Sequence, residues 1–412
     1  MGPVPKLPKR LIWGLSLKCK MEFYGSFLSV FLTGLVLGLI FTPVAIWLAP
    51  KIGAVDVPKD SRRMHTKPMP RFGGMAIFIG TTGALLITML FAFPMLQKYL
   101  MVRGMYQWFA QPEDKIWALI VGGALIYALG VIDDLKNLPA KVKFLGQIVC
   151  ASVVWFMGIR ISFISLWFSI DHLFLSEAIS YVLTVLWIVG ISNTVNLTDG
   201  LDGLAAGVST IASICLAYTS YIHGSYLAAL AFLAIAGGAL GFLRYNFHPA
   251  KIFMGDGGSL FLGFMLATTS IIGVAKSATV IAMIAPVLVL FVPIFDTSFA
   301  ILRRVANHRP IMEADKGHLH HRLMAAGLGQ RRSVMMLYGV AAVMGIASVL
   351  FSRDLYVETA GLLLVACMYI YIFLTDASSG RLSLKGVNVK EIERREEREK
   401  DREKDHKGEE QK

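Results

Sequence analysis

Long apolar runs recur from residue 25 to residue 375, and few folds tolerate them. A run of ~20 apolar residues crosses the ~30 Å hydrocarbon core of a bilayer as an α-helix. In lipid the backbone must satisfy its own hydrogen bonds, so runs of that length read as helices and not as buried strands. Windows of this length place about eleven spans, near 25–49, 72–94, 115–132, 142–158, 178–195, 203–222, 226–244, 257–273, 278–301, 333–351 and 355–375. Only 17% of the chain is charged, where a soluble domain carries about 25%. The expected fold is an all-α polytopic membrane protein with about eleven transmembrane helices. It divides into an N-terminal extension at 1–24, a membrane domain at 25–375 and a charged tail at 376–412.

An odd number of spans puts the termini on opposite sides. The loops at 50–71, 133–141, 193–203, 244–256 and 302–332, with their flanks, then share one face and carry eighteen Lys or Arg, against six on the other face. The positive-inside rule makes the richer face cytoplasmic, with the N-terminus outside and the C-terminus inside. Counting Lys6, Lys9, Arg10, Lys18 and Lys20 with the outer face leaves the sign unchanged. No small-residue cleavage site follows a short apolar core, so the first twenty residues do not read as a cleaved signal. Met21 heads a segment that runs straight into the first span and is an alternative start. The tail from Lys390 onward is nearly charge-balanced, with few apolar residues, and reads as a solvated helix or disordered appendage without a catalytic role. A basic membrane face points to anionic lipid head groups or phosphorylated substrates and away from nucleic acid. Cys19, Cys150, Cys215 and Cys367 are too scattered for a zinc site or a disulfide framework.

Ionisable groups at a membrane edge are costly, and here they gather in five segments of the basic face. HTKPMPRFGG (65–74) leads into the second span and offers Lys67 as a phosphate or nucleotide contact, beside the plainer reading of a topogenic loop. GVIDDLKN (130–137) puts Asp133 and Asp134 at the end of an apolar helix, where mutual repulsion and the negative dipole end disfavour both. A cation or a substrate proton must compensate them. In NTVNLTDGLDG (193–203), Asn193, Asn196, Asp199 and Asp202 recur every three residues, which would line them on one side if the segment stays helical. In RYNFHPAKIFMGDGGS (244–259), Asp256 lies in a Gly-rich turn suited to a hard cation that keeps waters and substrate phosphates in its shell. The last segment, 303–323, gathers His318, His320 and His321 with Arg303, Arg304, Arg309 and Arg322. Without cysteines this is a poor zinc signature, and phosphate recognition fits it better.

Carboxylates for a divalent metal, cations for phosphate and a membrane setting together specify phosphoryl transfer, which is mostly positioning and charge neutralisation. A transporter would place its ionisable groups near the midplane on broken helices in repeated halves. Here the carboxylates sit at span ends on one side, and no repeat is visible.

The combination PRFGG, GVIDD, AKVKFLGQ, NTVNLTDGLDGLAAG, YNFHPAKIFMGDGGSLFLG, PIFDT and HLHHRL, spread over about residues 50–325, resembles the polyprenyl-phosphate N-acetylhexosamine-1-phosphate transferases. It is most similar to the bacterial undecaprenyl-phosphate N-acetylglucosamine-1-phosphate transferases that initiate envelope glycans. The resemblance implies UDP-GlcNAc and undecaprenyl phosphate as substrates, Mg²⁺ or Mn²⁺ as cofactor, the bacterial cytoplasmic membrane as location and a homodimer as a form relatives adopt. It implies Asp133 as the base acting on the lipid phosphate, Asp134 as support for metal or substrate, and Asp256 as the metal-binding aspartate. Asn193, Asn196, Asp199 and Asp202 fall in the segment at the metal and uridine site, with Asp199 among the catalytic set. Asn246 and Phe253 match the nucleotide's base pocket, Lys67 a substrate contact, and His318, His320 and His321 the motif near the sugar phosphate. Arg303 and Arg304 are further candidates for substrate binding. One departure is Asn137, where many relatives carry a third aspartate after the pair. The sibling that transfers phospho-N-acetylmuramoyl-pentapeptide shares the aspartates but usually has ten spans and an uninterrupted histidine triplet. Leu319 interrupts the histidines here.

Overall fold

The computed structural model describes residues 9–57, 68–92, 94, 112–165, 172–274, 281–306, 323–324 and 329–378. The helices are α1 (Lys9–Ile52), α2 (Gly74–Ile87), α3 (Pro112–Lys136), α4 (Ala140–Phe156), α5 (Glu177–Thr198), α6 (Leu204–Ile222), α7 (Tyr226–Asn246), α8 (Gly255–Val274), α9 (Ile281–Val289), α10 (Phe291–Ala306), α11 (Gln330–Phe351) and α12 (Tyr356–Ser378). A π-helical turn, Thr88–Ala92, extends α2. Two small antiparallel ladders complete the described elements: β1 (Val55–Asp56) pairs with β2 (Met69–Pro70), and β3 (Phe163–Ser165) with β4 (His172–Phe174).

Eight of the described helices are long and apolar enough to cross a membrane, so the chain is a polytopic helical membrane protein. The other three expected spans fall on α4, which has 17 residues, on the α9–α10 pair, and on α12, whose described apolar part is Tyr356–Met368. The expected 278–301 span is not continuous. Its helix is interrupted at Leu290, between α9 and α10. Pro293 has no N–H to donate back to Val289, and its ring crowds that carbonyl, so the hydrogen-bond ladder stops there.

α8 is the axis of the bundle. Nearly all of its apolar window, 94%, is buried, against 22% for α1 at the periphery. It packs on α2, α3, α5 and α7, with Phe261, Phe264 and Leu266 fully enclosed. α1 crosses α7 closely, with Gly34 and Gly38 against Gly237, Gly238 and Gly241. Small residues allow that backbone approach where lipid offers no hydrophobic drive between helices. Because α8 is surrounded, whatever sits at its first turn is held by several elements at once.

Candidate active site

The C-terminal turn of α3 and the N-terminal turn of α8 meet through Asp134. Its Oδ1 accepts the Asp256 N–H at 2.8 Å and its Oδ2 accepts the Gly257 N–H at 2.9 Å. A carboxylate disfavoured at the end of its own helix thereby caps the start of another, where free N–H groups and the positive dipole end favour an anion. Two glycines make the junction feasible. Gly130 has no Cβ to strike the Asp256 and Gly257 backbone, and Gly255 adopts φ +73° directly against the Asp134 carboxyl.

Two cations complete this junction. Arg71 reaches Asp134 Oδ1 through Nε at 3.0 Å and Asp256 Oδ2 through Nη2 at 3.3 Å. Lys143 Nζ lies 2.9 Å from Asp133 Oδ2 and 3.0 Å from Asp256 Oδ2. The Arg71 loop is positioned by backbone pairing with the segment before α8: Phe253 N–H donates to the Pro70 carbonyl, Gly73 N–H to Phe253, and Gly74 N–H to Met254. Asp133 also accepts the Leu138 N–H at 2.8 Å.

α5 contributes the amides. Asn196 donates to Asp256 Oδ1 at 2.8 Å and to Ser259 Oγ at 2.7 Å. Asn193, one turn earlier, exchanges hydrogen bonds with Gln147 of α4. Asn196 thus touches the carboxylate cluster, and Asn193 fixes α5 to α4 behind it. α5 ends at Thr198, and Asp199 leaves the helix with φ −76° and ψ 48°. Burial pushes the Asp199 carboxyl up to about 7; the neighbouring Asp256 carboxylate adds to the rise and Arg71 opposes it.

The three-residue period therefore carries only to Asp199. Asp202 lies in the turn after α5 and pairs instead with the 247–254 segment: its Oδ2 meets His248 Nδ1 at 2.8 Å and the Ala250 N–H at 3.1 Å. The four residues do not line one helical face, because the helix has ended before the fourth. Asn246 is 2% exposed, and its amide ties backbone to backbone, accepting from Gly203 N–H and donating to the Ile252 carbonyl. The described bonds of Phe253 to the site run through its main chain.

Of the two expected metal ligands, Asp134 and Asp256, Asp134 is the less accessible: its side chain is 2% exposed against 21% for Asp256, and both its oxygens already receive donors. Arg303 and Arg304 end α10, Arg303 over the Phe299 ring and Arg304 buried. Lys67, His318, His320 and His321 lie outside the described residues. Asn137, where the resemblance leads one to expect a third aspartate, follows α3 with φ 48° and donates its N–H to the Asp133 carbonyl. Asn, like Asp, tolerates that left-handed conformation, so the turn survives without the carboxylate.

Arg71, Lys143, Gln147 and His248 were not singled out by the sequence as site residues. Lys143 carried a usable signal: a lysine in the first turn of a helix is as misplaced against the dipole as Asp133 and Asp134 at the end of one. Each misplacement resolves the other.

Among the described residues four carboxylates, Asp133, Asp134, Asp199 and Asp256, thus share the field of two cations, Arg71 and Lys143, leaving a formal excess of two negative charges there. Among the described residues no three His, Cys, Asp or Glu side chains form a closed metal cage.

The glycosyl transferase family 4 model matches residues 116–274, the stretch from α3 to the end of α8. A probable undecaprenyl-phosphate N-acetylglucosaminyl 1-phosphate transferase of Bacillus subtilis (strain 168) is 44% identical over 319 residues, covering 77% of this chain and 83% of the relative. A decaprenyl-phosphate N-acetylglucosaminephosphotransferase of Mycobacterium tuberculosis is 38% identical over 343 residues, 77% of this chain and 82% of the relative. A phospho-N-acetylmuramoyl-pentapeptide-transferase of Lactiplantibacillus plantarum is 34% identical over 281 residues, 64% and 76% of the two chains. With such identity across most of both chains, and with its aspartates gathered at one end of a membrane bundle, the protein belongs to the polyprenyl-phosphate N-acetylhexosamine-1-phosphate transferases.

Proposed function

We propose that this enzyme transfers GlcNAc-1-phosphate from UDP-GlcNAc to undecaprenyl phosphate, giving undecaprenyl-diphosphate-GlcNAc and UMP, the first membrane step of an envelope glycan. The observation that carries the reading is the aspartate cluster at the junction of α3, α5 and α8, which among the described residues has two negative charges in excess of its cations. That excess equals the charge of one divalent ion. Its donors are hard oxygens without a closed cage, which fits Mg²⁺, or Mn²⁺, shared between one or two carboxylates and substrate phosphates. Asp256 and Asp199 would hold it, and it would supply charge neutralisation at the donor's pyrophosphate.

The chain's own groups divide the remaining work. Asp133 takes the proton left on the acceptor phosphate, and Lys143 attracts that phosphate. A freed phosphate oxygen attacks the β-phosphorus of UDP-GlcNAc. The bond from that phosphorus to the bridging oxygen breaks, and UMP leaves with the oxygen. Arg71, anchored on Asp134, offers a guanidinium to the transferring phosphate. Attack is direct, so labelled UMP should not exchange into UDP-GlcNAc when lipid is withheld; exchange without lipid would mean a covalent Asp133 intermediate.

The site belongs on the cytoplasmic face of eleven spans, with the N-terminus outside, as the bias of eighteen against six basic residues argues. Purified protein given undecaprenyl phosphate and Mg²⁺ should release UMP from UDP-GlcNAc and not from UDP-MurNAc-pentapeptide. Release only from the pentapeptide nucleotide would move the reading to the sibling activity.

A further inference from the structure

The turn at 199–203 and the segment at 247–254 are joined by two separate sets of contacts. The first holds backbone. Asn246 Oδ1 accepts Gly203 N–H at 3.0 Å, Asn246 Nδ2 donates to the Ile252 carbonyl at 2.8 Å, and Tyr338 of α11 donates its hydroxyl to the Gly203 carbonyl. The second holds a side chain. His248 Nδ1 and the Ala250 N–H both bind Oδ2 of Asp202. Asp202 Oδ1 receives no hydrogen bond among the described residues. The Asp202 side chain is only 17% exposed and that of His248 38%.

With one oxygen doubly held and the other unclaimed among the described residues, this half-buried carboxylate is oriented to accept a further donor. Position says which substrate half. Exposed apolar side chains flank Asp133, Ile132 at 44%, Leu135 at 42% and Val142 at 51%, beside the exposed Lys136 and Lys141, as an acceptor with a lipid tail and a phosphate would require. Asp202 lies outside the spans, in the turn that follows Asp199, bonded to the polar 247–254 segment.

We infer that His248 is a positioning residue for the nucleotide half of the donor: it fixes the Asp202 carboxylate so that Oδ1 accepts a hydrogen bond from the base or ribose. The inference rests on the reading of the donor as a nucleotide sugar. Because Asn246 and Tyr338 hold the turn's backbone independently, removing the imidazole frees the carboxylate to rotate without releasing the turn.

The test is His248→Ala and His248→Gln in the full-length protein, measured three ways. His248→Ala should raise KM for UDP-GlcNAc about tenfold, as for a hydrogen bond to a charged group, with kcat within about twofold and KM for undecaprenyl phosphate unchanged. The dissociation constant for UMP, measured without lipid, should rise by the same factor. His248→Gln, which keeps an N–H donor, should recover most of the loss. A fall in kcat alone, an equal rise in both KM values, a drop in melting temperature that accounts for lost binding, or unchanged UMP affinity would overturn the inference. Absence of turnover by the wild-type protein would instead refute the assigned reaction, and UMP binding would still decide the role of His248.

Discussion

The aspartates at the end of α3 and those in the turn after α5 meet their negative charge in different ways. Asp133 and Asp134 have fixed partners, a lysine, an arginine and the first N–H groups of α8. Asp199 is buried, has the opposing Asp256 carboxylate for a neighbour and shares Arg71 with other acids, so its carboxyl is held up to about 7. Asp202 has a histidine and leaves one oxygen open among the described residues. A carboxylate whose charge is already answered within the fold builds the site. One whose charge is not answered is where an incoming cation or substrate donor gains most.

The sharpest way to break this contrast is to neutralise the residue both halves share. Asp256→Asn should lower UMP release by roughly 10²–10³-fold or more, the scale of losing a central electrostatic contact. Its melting temperature should stay close to wild type, since Asn196 still finds an amide oxygen. Lys143→Met comes next, with a loss of about 10²-fold in kcat/KM, greater for the lipid acceptor than for the nucleotide donor. Asp134→Asn should act mainly on stability. An NH₂ group would face one of two backbone N–H donors, at a cost of ~1–3 kcal/mol, read as a lowered melting temperature in detergent. If Asp134→Asn kept full stability while abolishing Mg²⁺ dependence, the division between building and binding carboxylates would be wrong.

A separate effect is the pH dependence of Asp199. Its folded value of about 7 lies above the ordinary 3.8, so between these the folded protein holds a proton that the unfolded chain has released. Stability contributed by this group is therefore lost as pH rises from about 4 to about 7 and levels off above. Melting temperatures of metal-free protein should show that slope, and Asp199→Asn should flatten it. A slope unchanged in the variant would assign it to other groups.

The sequence made the membrane architecture legible because long apolar runs have few alternatives in lipid. It also located Asp133, Asp134, Asp199 and Asp256, since carboxylates at span ends stand out against an apolar background. It misled where a local rule outran its conditions. The period from Asn193 to Asp202 presumed a helix that stops at Thr198, and the 278–301 run hid the interruption that Pro293 imposes. Arg71 and Lys143 were counted only as topogenic charge, because their partners come from distant elements that nothing local identifies. His248 was missed for the same reason, since Asp202 reaches it only after the chain has passed through α6 and α7.

The central claim is that the site's two excess charges are balanced by one divalent cation shared with the donor, and Mn²⁺ binding followed by electron paramagnetic resonance tests it directly. Titrated with Mn²⁺, the full-length protein should bind one ion per chain, weakly alone and much more tightly with UDP-GlcNAc present, and Asp256→Asn should abolish the tight phase. Equally tight binding without nucleotide, or binding that persists in Asp256→Asn, would contradict the account.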